Sequence, residues 1–320
     1  MKTPGFWQHD GLLALLLSPL SHGMTAAGRL RRAMKKTRRI RVPVLCIGNL
    51  VAGGAGKTPV AIAVAERLIA RGATPHFLSR GYGGDITGPT RVDPTRHWAE
   101  HTGDEALLLA RTAPCWIARH RPAGGAAAAH YGADVVVMDD GFQNPSLRKN
   151  LSLVVIDGGY GLGNRRVLPA GPLREPFEDG IGRADAVILL GEDEQGILET
   201  LPETLPVLRA DIVPANTDHL TGKTVFAFAG IARPEKFYAT LEAIGCHIAD
   251  TRSFDDHHNF NPAQIGWLLD RAAILEALPV TTEKDWVRLP EKVRDRFATL
   301  PITVRWQDDA ALDALLDRLG

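Results

Sequence analysis

Residues Asn49 to Thr58 have the composition and order of a phosphate-binding loop. An apolar run, 42–47, precedes them, and they end in Gly-Lys-Thr. When a buried strand leads through a glycine-rich turn into a helix, backbone N–H groups and the helix N-terminus face a bound anion. Lys57 would then reach the β- and γ-phosphates of a nucleoside triphosphate, and Thr58 would hold Mg²⁺. The predicted nucleotide-binding residues are Val51, Ala52, Gly53, Gly54, Ala55, Gly56, Lys57 and Thr58.

One position of this loop departs from the usual pattern. Val51 stands where the first glycine of such loops is expected, five residues before Gly56. The adjacent Gly53 and Gly54 supply the backbone freedom that a tight turn needs. A flexible connection that merely contains glycine and lysine is the alternative, but the strand before the loop and the helix pattern after it favour a phosphate site.

Two carboxylates end another apolar run. Residues 135–138 are followed directly by Asp139 and Asp140, and this is where nucleotide hydrolases and kinases place an aspartate that handles Mg²⁺. Mg²⁺ usually binds one or two carboxylates beside phosphates and water. The alternative is an ordinary strand end with an Asp-Gly turn. Together with the phosphate loop, the pair predicts a metal site.

Asp104 and a histidine of the polar segment 255–260 are candidates for acid–base chemistry. Thr102 and Glu105 have the spacing of a capping box, which explains Glu105 structurally and leaves Asp104 free for another task. The segment 255–260 contains His257 and His258 beside two aspartates, and an imidazole paired with a carboxylate tunes it as a base. A solvated loop and a transition-metal site are the alternatives for this segment.

Three arginines are candidate ligands for a phosphorylated substrate. Arg80 lies in the glycine-rich segment 79–84, Arg174 lies in the proline-rich segment 168–176, and Arg121 lies between them in the chain. A guanidinium group forms bidentate contacts with phosphate. A solvated surface position is the alternative for each.

The composition indicates a soluble globular chain. Its 320 residues are 45% hydrophobic and 23% charged, which suits one large or two ordinary domains. The three cysteines stand far apart without the spacing of a zinc site. This argues against a disulfide framework and fits a reducing cytoplasm.

A net charge of zero conceals a basic segment near the N-terminus. Residues 29–41 carry eight basic side chains and no acid, and a leucine-rich run, 12–20, precedes them. As a helix this run would rise only ~14 Å, short of the ~30 Å hydrocarbon core. A cleaved signal peptide, a nucleic-acid arm or docking helix, and a membrane-surface anchor are the alternatives. An anchor is favoured, because eight basic residues supply up to ~8 kcal/mol of attraction to an anionic leaflet.

Strand and helix patterns alternate along the rest of the chain, which predicts an α/β fold: a P-loop NTPase-like, mostly parallel sheet with helices on both faces. A second strand–helix series begins near Lys223 and predicts a smaller C-terminal α/β domain. We therefore divide the chain into an N-terminal amphipathic and basic membrane anchor (1–41), a nucleotide-binding core (42–215) and a C-terminal domain that closes over the cleft (216–320). Residues 158–179 are rich in glycine and proline, and a loop of this length is usually functional.

Eight motifs in order resemble the tetraacyldisaccharide 4′-kinase family of lipid A biosynthesis. They are GNLVAGGAGKTP, SRGYGG, GDE, DDGFQ, LPAGPLREP, FAGIARPEKF, DDHH and TEKD. Each is weak alone, but the ordered set is specific and covers nearly the whole chain. The paired glycines match the family's form of the loop, whereas Ala55 stands where the family usually has threonine.

This resemblance implies ATP-dependent phosphorylation of the 4′-hydroxyl of an acylated glucosamine disaccharide 1-phosphate, at the cytoplasmic face of the bacterial inner membrane. Asp104 would take the hydroxyl proton, with His257 paired to it. Further roles are implied for metal ligands and for residues lining the phosphate-bearing cleft: Thr58, Asp139, Asp140 and Glu175 for Mg²⁺, and Arg80, Arg121 and Arg174 for the substrate. The TEKD motif is recognised without a role.

The expected partners are therefore ATP, the lipid acceptor in the bilayer and an anionic membrane surface, with peripheral or monotopic attachment. Neither nucleic acid nor an obligate protein partner is expected. The main alternative is a membrane-surface ATPase switch that shares the phosphate loop and has no small acceptor. A nucleic-acid-dependent ATPase is a third possibility, which the leucine run and the overall neutrality disfavour.

Overall fold

Two sheets organise residues 4–320, the part of the chain that the computed structural model describes. The strands are β1 (Val44–Gly48), β2 (Pro75–Ser79), β3 (Thr90–Arg91), β4 (Cys115–Ile117), β5 (Val135–Asp139), β6 (Leu151–Asp157), β7 (Ala186–Leu190), β8 (Val207–Pro214), β9 (Thr224–Ala229), β10 (His247–Ser253), β11 (Leu278–Thr282), β12 (Ala298–Leu300) and β13 (Ile302–Trp306). The α-helices are α1 (Leu12–Met34), α2 (Lys57–Ala70), α3 (Ala99–Thr102), α4 (Asp104–Leu109), α5 (Arg121–His130), α6 (Phe177–Ile181), α7 (Pro234–Ala243), α8 (Pro262–Ile274), α9 (Glu283–Trp286), α10 (Glu291–Arg294) and α11 (Asp309–Leu316). The first three residues of the expected anchor, 1–41, lie outside the described residues.

Nine strands form the larger sheet, in the order β13-β8-β7-β6-β1-β5-β2-β4-β3. The edge pairs β13–β8 and β3–β4 are antiparallel, and the other neighbours are parallel. β1 lies between β5 and β6, and Ile47 is level with Asp139. The predicted mostly parallel sheet is confirmed, and the ends of β1 and β5 lie side by side.

Alternate residues of the central strands pack on opposite faces of this sheet. On β1, Leu45 and Ile47 join one core, whereas Val44 and Cys46 join the other. Helices α2 and α11 contribute to the first core, and α5 and α6 contribute to the second. Because both faces are covered, these strands are apolar throughout, which is why they read as continuous apolar runs.

Four parallel strands form the smaller sheet, in the order β10-β9-β11-β12. Alternation along β9 again separates two cores, with Val225 packing beneath α7 and Phe226 beneath α8. The carboxyl end of β9 leads to Gly230, and β11 leads directly into α9. The connections that follow β9 and β11 therefore lie at the same end of the sheet.

The last residues return to the larger sheet, which differs from the expected C-terminal domain 216–320. Only Pro301 separates β12 from β13, and β13 pairs with β8. Val304 of β13 and Leu312 of α11 are buried in a core of the larger sheet. Burial of these side chains stabilises residues 302–320 against the larger sheet. A single strand pattern at 301–305 carries no information about which sheet it joins. The rest of the division, 1–41, 42–215 and 216–301, stays a prediction.

Helix α1 has a docked side and an exposed apolar side. Ala14 and Ser21 are buried, and the Ser21 hydroxyl donates to the carbonyl of Val167 at 2.6 Å. Leu12 and Leu16 are 81% and 75% exposed, and at about 100° per residue they project away from the docked pair. Within residues 4–320, no helix is both long and apolar enough to cross a bilayer.

Part of the basic segment is bound to the protein itself. Arg29 pairs with Asp179 at 2.8 Å, and Arg32 pairs with Asp179 at 2.9 Å and with Glu175 at 2.8 Å. Two of the eight basic side chains are therefore bound to carboxylates of the protein, which lowers the upper bound of attraction to an anionic leaflet from ~8 to ~6 kcal/mol. Six others form no ion pair with the described residues: Arg31, Lys35, Lys36, Arg38, Arg39 and Arg41.

Candidate active site

The phosphate loop, residues 49–56, connects β1 to α2 and forms without a glycine at position 51. Val51 is buried and pairs with Leu173 of the proline-rich segment. The Asn49 side chain donates to the Val51 carbonyl at 2.8 Å, which closes the turn. Gly56 precedes α2 with φ of 77°, and a Cβ there would lie 2.5 Å from Leu190. Position 56 thus requires glycine, whereas position 51 requires an apolar side chain.

Lys57 and Thr58, in the first turn of α2, face the two aspartates at the end of β5. The Thr58 hydroxyl donates to Asp139 Oδ2 at 3.1 Å, and Lys57 Nζ lies 3.8 Å from Asp140 Oδ1. Arg174 donates to the same Asp140 oxygen at 2.6 Å. The structure therefore brings the phosphate loop and the predicted metal carboxylates together.

Asp139 has an unused oxygen. Its Oδ1 is buried and has no hydrogen-bond partner among the described residues. Burial, together with the charge of Glu105, raises the pKa of the Asp139 carboxyl. Asp140 behaves differently, because the charges of Lys57 and Arg174 outweigh burial and lower its pKa. A buried carboxylate oxygen without a partner beside a threonine hydroxyl suits a divalent cation.

Asp104 begins α4 in a turn that only glycines permit. Gly103 precedes it with φ of 79°, and a Cβ on Gly103 would lie 2.2 Å from the carbonyl oxygen of Tyr82. The expected capping box is wrong: Thr102 ends α3, and its hydroxyl donates to the carbonyl of Gly103 at 3.2 Å. Asp104 Oδ1 instead accepts the N–H of Glu105 at 2.9 Å. This hydrogen bond holds the Asp104 carboxylate, and the Glu105 side chain forms no hydrogen bond with the described residues.

His257 reaches Asp104 from the smaller-sheet side. Its Nδ1 lies 3.0 Å from Asp104 Oδ2, and its backbone N–H donates to Gly230. Arg288 donates to the same Asp104 oxygen from Nε at 2.8 Å and also from Nη2. Burial alone would raise the pKa of Asp104, but the hydrogen bond from His257 and the charges of Arg288 and Lys284 hold it well below its usual range. Asp104 is therefore ionised.

The remainder of the segment 255–260 is not gathered around one point. His258 Nε2 contacts Gln264 at 3.1 Å, and its ring stacks on Phe254. Only His257 approaches a site carboxylate among these two imidazoles. In residues 4–320 no group of three or more His, Cys, Asp or Glu side chains is placed to hold a metal, so any cation at Asp139 needs ligands from another source, as Mg²⁺ usually does.

The three predicted substrate arginines occupy different environments. Arg121 is 2% exposed, donates to the carbonyls of Ser79 and Ala118, and keeps a buried Nε without a partner among the described residues. Burial, followed by the charge of Arg80, lowers the pKa of Arg121 to about 10. Arg80 is exposed beside it, and Arg174 is held by Asp140.

Glu175, a predicted metal ligand, is bound mainly by arginines. Its Oε2 accepts hydrogen bonds from Arg32 at 2.8 Å and Arg183 at 2.6 Å. Its Oε1 accepts one from Gln143 at 3.1 Å. A role in metal binding stays a prediction for Glu175, and the contacts that the structure gives it tie α1 to the proline-rich segment.

Sequence reasoning missed three residues that the structure places here. Glu105 lies close enough to Asp139 for the two charges to interact, and burial raises its pKa. Lys284 Nζ lies 3.9 Å from Asp104. Arg288 pairs with Asp104, and its side chain is 2% exposed. The TEKD motif drew attention to Lys284, but nothing in the sequence distinguishes Arg288 from a surface arginine.

Comparisons with known proteins identify the family. The family model described as Tetraacyldisaccharide-1-P 4'-kinase matches residues 13–320. The tetraacyldisaccharide 4'-kinase of Rhodospirillum centenum is 53% identical, over 99% of this chain and 96% of that protein, and that of Rhodospirillum rubrum is 51% identical, over 100% and 98%.

A solved structure has the same fold. LpxK from Aquifex aeolicus, crystallised in complex with ATP, is 26% identical and superimposes with a TM-score of 0.78, covering 96% of this chain and 99% of that one. The α/β architecture with a P-loop is therefore shared along nearly the whole chain. The chain is an enzyme, a phosphotransferase acting on a hydroxyl group, and it belongs to the tetraacyldisaccharide-1-P 4′-kinase family.

Proposed function

We propose that this protein transfers the γ-phosphoryl group of ATP to the 4′-hydroxyl of a tetraacylated glucosamine disaccharide 1-phosphate. The contact between Asp104 and His257, at 3.0 Å, carries the proposal. It joins a carboxylate of the larger-sheet side to an imidazole of the smaller-sheet side. An ATPase switch would use such a pair only to orient water and would hydrolyse ATP without lipid, so dependence of turnover on the lipid acceptor distinguishes the two functions.

The donor would bind at residues 51–58. Lys57 is 8% exposed and points at the aspartates that follow β5, and the Aquifex aeolicus relative was crystallised with ATP. The backbone N–H groups of the first turn of α2 are free of intrahelical partners and would face the phosphates. Asp104 lies near this loop, because α4, which begins at Asp104, contacts α2, which begins at Lys57.

Thr58 and Asp139 would hold Mg²⁺. The partnerless Asp139 Oδ1 and the Thr58 hydroxyl supply oxygen ligands, and a bound Mg²⁺ neutralises charge on the phosphates. Asp140 stays a predicted ligand of the same ion, and it would also keep Lys57 and Arg174 oriented toward the phosphates. Glu175 would contribute its Oε1, since both of its arginine partners bind Oε2.

Asp104 would accept the proton of the sugar hydroxyl. A carboxylate with a lowered pKa is a weak base, but the phosphoryl-transfer transition state is loose and needs little help from the base until late. Orientation of the hydroxyl in line with the γ-phosphate then contributes most. Arg80, Arg121 and Arg174 would neutralise phosphate charge in the cleft.

The acceptor would be reached at the cytoplasmic face of the inner membrane. The exposed leucines of α1 and the six unpaired basic residues of 29–41 suit an anionic surface, at up to ~1 kcal/mol for each charge. We assign residues 1–41 to this surface, residues 42–215 to the nucleotide and residues 216–301 to closure over the cleft.

Incubation of the purified protein in detergent with ATP, Mg²⁺ and tetraacyldisaccharide 1-phosphate tests the proposal. A second phosphate on the lipid, detected by mass spectrometry, is the expected product, and omission of Mg²⁺ should abolish it. ATP hydrolysis that proceeds equally without the lipid, and with no phosphorylated lipid formed, would refute the proposal in favour of an ATPase switch.

A further inference from the structure

Arg288 lies at the centre of a buried charge cluster on the smaller-sheet side of the cleft. Its side chain is 2% exposed. Nε and Nη2 both donate to Asp104 Oδ2, while Nη1 donates to Asp285 Oδ1 at 2.8 Å and to the Gly230 carbonyl at 2.9 Å. One guanidinium group therefore joins Asp104, near the phosphate loop, to the ends of β9 and β11.

Asp285, in the TEKD motif, fixes the orientation of this guanidinium group. It is 0% exposed, and its Oδ2 accepts hydrogen bonds from the Thr282 hydroxyl at 2.7 Å and from the Gly230 N–H at 3.0 Å. A Cβ on Gly230 would lie 2.9 Å from Asp285 Oδ1, so glycine at 230 allows the close approach. Asp285 is anchored at both oxygens and cannot rotate independently of the strand ends.

Asp104 is fixed in the same way at its other end. Its Oδ1 is bound by the N–H of Glu105, and its Oδ2 receives Arg288 and His257. Every group on Oδ2 comes from residues that follow the smaller sheet's strands, whereas the backbone of Asp104 belongs to α4, beside the larger sheet. The orientation of the carboxylate therefore depends on contact between the two sides of the cleft.

We propose that Arg288, held by Asp285, is a positioning residue that sets the orientation of the Asp104 carboxylate for phosphoryl transfer. This inference rests on the proposed role of Asp104 as the base, and it assigns a task to the TEKD motif. His257 and Arg288 both bind Oδ2 of Asp104. The carboxylate is therefore oriented for catalysis only when the two sides of the cleft are in contact. A misplaced base lowers the rate of the chemical step without changing the binding of ATP.

Three variants and one control separate positioning from structural support. Arg288→Ala removes the guanidinium group, whereas Arg288→Lys keeps the charge and loses the bidentate geometry. Asp285→Asn weakens the contact that holds Arg288. Arg294→Ala is the matched control, because Arg294 lies in the same segment. Among the described residues its side chain donates to the carbonyls of Leu289 and Val287 and lies over the Trp286 ring, without a contact to Asp104.

Steady-state kinetics with detergent-dispersed acceptor give the readout. We expect kcat to fall ~100-fold in Arg288→Ala and ~10-fold in Arg288→Lys and Asp285→Asn, with KM for ATP within about twofold. Millimolar guanidinium chloride should restore at least ~10-fold of the activity of Arg288→Ala, but none to Asp104→Ala. Arg294→Ala should stay within about threefold of the wild type.

Two results would overturn the inference. One is a wild-type kcat in both Arg288→Lys and Asp285→Asn. These two variants keep a side chain of similar size in the buried cluster, so they give a result even where Arg288→Ala does not fold. The other is a folded Arg288→Ala variant whose activity guanidinium does not restore. If the wild type itself phosphorylates no lipid, the proposed function fails, whereas an active wild type with unaffected variants refutes only the role of Arg288.

Discussion

Replacing Leu12 and Leu16 of α1 with serine should release the protein from membranes without unfolding it. The two side chains are 81% and 75% exposed, so they contribute little to the packed core. Full burial of a leucine side chain yields ~1.5–3 kcal/mol. For two side chains with these exposures, the lower bound is ~2 kcal/mol, which corresponds to ~30-fold weaker partitioning into vesicles.

Flotation with vesicles of mixed neutral and anionic lipid measures this partitioning. Ile274→Ser is the matched control, because Ile274 is 74% exposed at the end of α8, a helix that packs against the smaller sheet. It removes a similar apolar surface and should leave vesicle binding within about twofold. Thermal unfolding should be similar for all three proteins, since exposed positions contribute little to stability.

Activity with two forms of the acceptor completes this test. The double variant should phosphorylate acceptor in vesicles much more slowly than the wild type, and detergent-dispersed acceptor at a normal rate. Salt should weaken the remaining binding, because basic residues of 29–41 are screened. Vesicle binding of the double variant within twofold of the wild type, or an equal loss in Ile274→Ser, would refute the assignment of α1 to the membrane surface.

Three further substitutions test the site. Asp104→Ala should lower turnover at least ~100-fold with unchanged KM for ATP, and near-normal turnover in a folded variant would contradict its role as base. Lys57→Ala should weaken ATP binding at least ~10-fold by calorimetry, whereas equal affinity would place the phosphates elsewhere. Burial raises the pKa of Asp139 in the folded state, so without divalent cations this carboxyl binds its proton more tightly in the folded protein than in the unfolded chain, and the stability that it contributes is lost as pH rises above about 4. Asp139→Asn should therefore raise the melting temperature at pH 8 and abolish Mg²⁺-dependent activity; a lower melting temperature would contradict the sign.

The central strands of the larger sheet were predictable because their environment is uniform. β1, β5 and β7 are buried at every position, so each reads as an apolar run. β10 is the opposite case: it lies at the edge of the smaller sheet, five of the seven residues of His247–Ser253 are polar, and none is fully buried. Such an edge strand has no apolar signal, and tertiary pairing alone determines it.

The site shows a similar limit. Lys57 and Thr58 follow the loop after β1, and Asp139 ends the parallel neighbour β5. The sequence patterns locate both strand ends, and the carboxyl ends of parallel strands lie at one edge of the sheet. Arg288 and Asp104 are 184 residues apart, and their contact depends on how two sheets meet. The pairing of His257 with Asp104 was expected only through the family resemblance, because no spacing rule connects a loop of one sheet to a helix beside another.

The glycine- and proline-rich segment 158–179 links α1 to the phosphate loop. Val167 accepts a hydrogen bond from Ser21 of α1, and five residues later Pro172 accepts the N–H of Ala52 in the phosphate loop at 2.7 Å. Arg174 of the same segment binds Asp140. Under the proposed function the acylated acceptor stays in the bilayer, so the γ-phosphate would have to lie at the same height above the membrane as the sugar hydroxyl. A segment that contacts α1 and the phosphate loop within a few residues would fix that height, which would explain why this long loop is irregular and yet well packed.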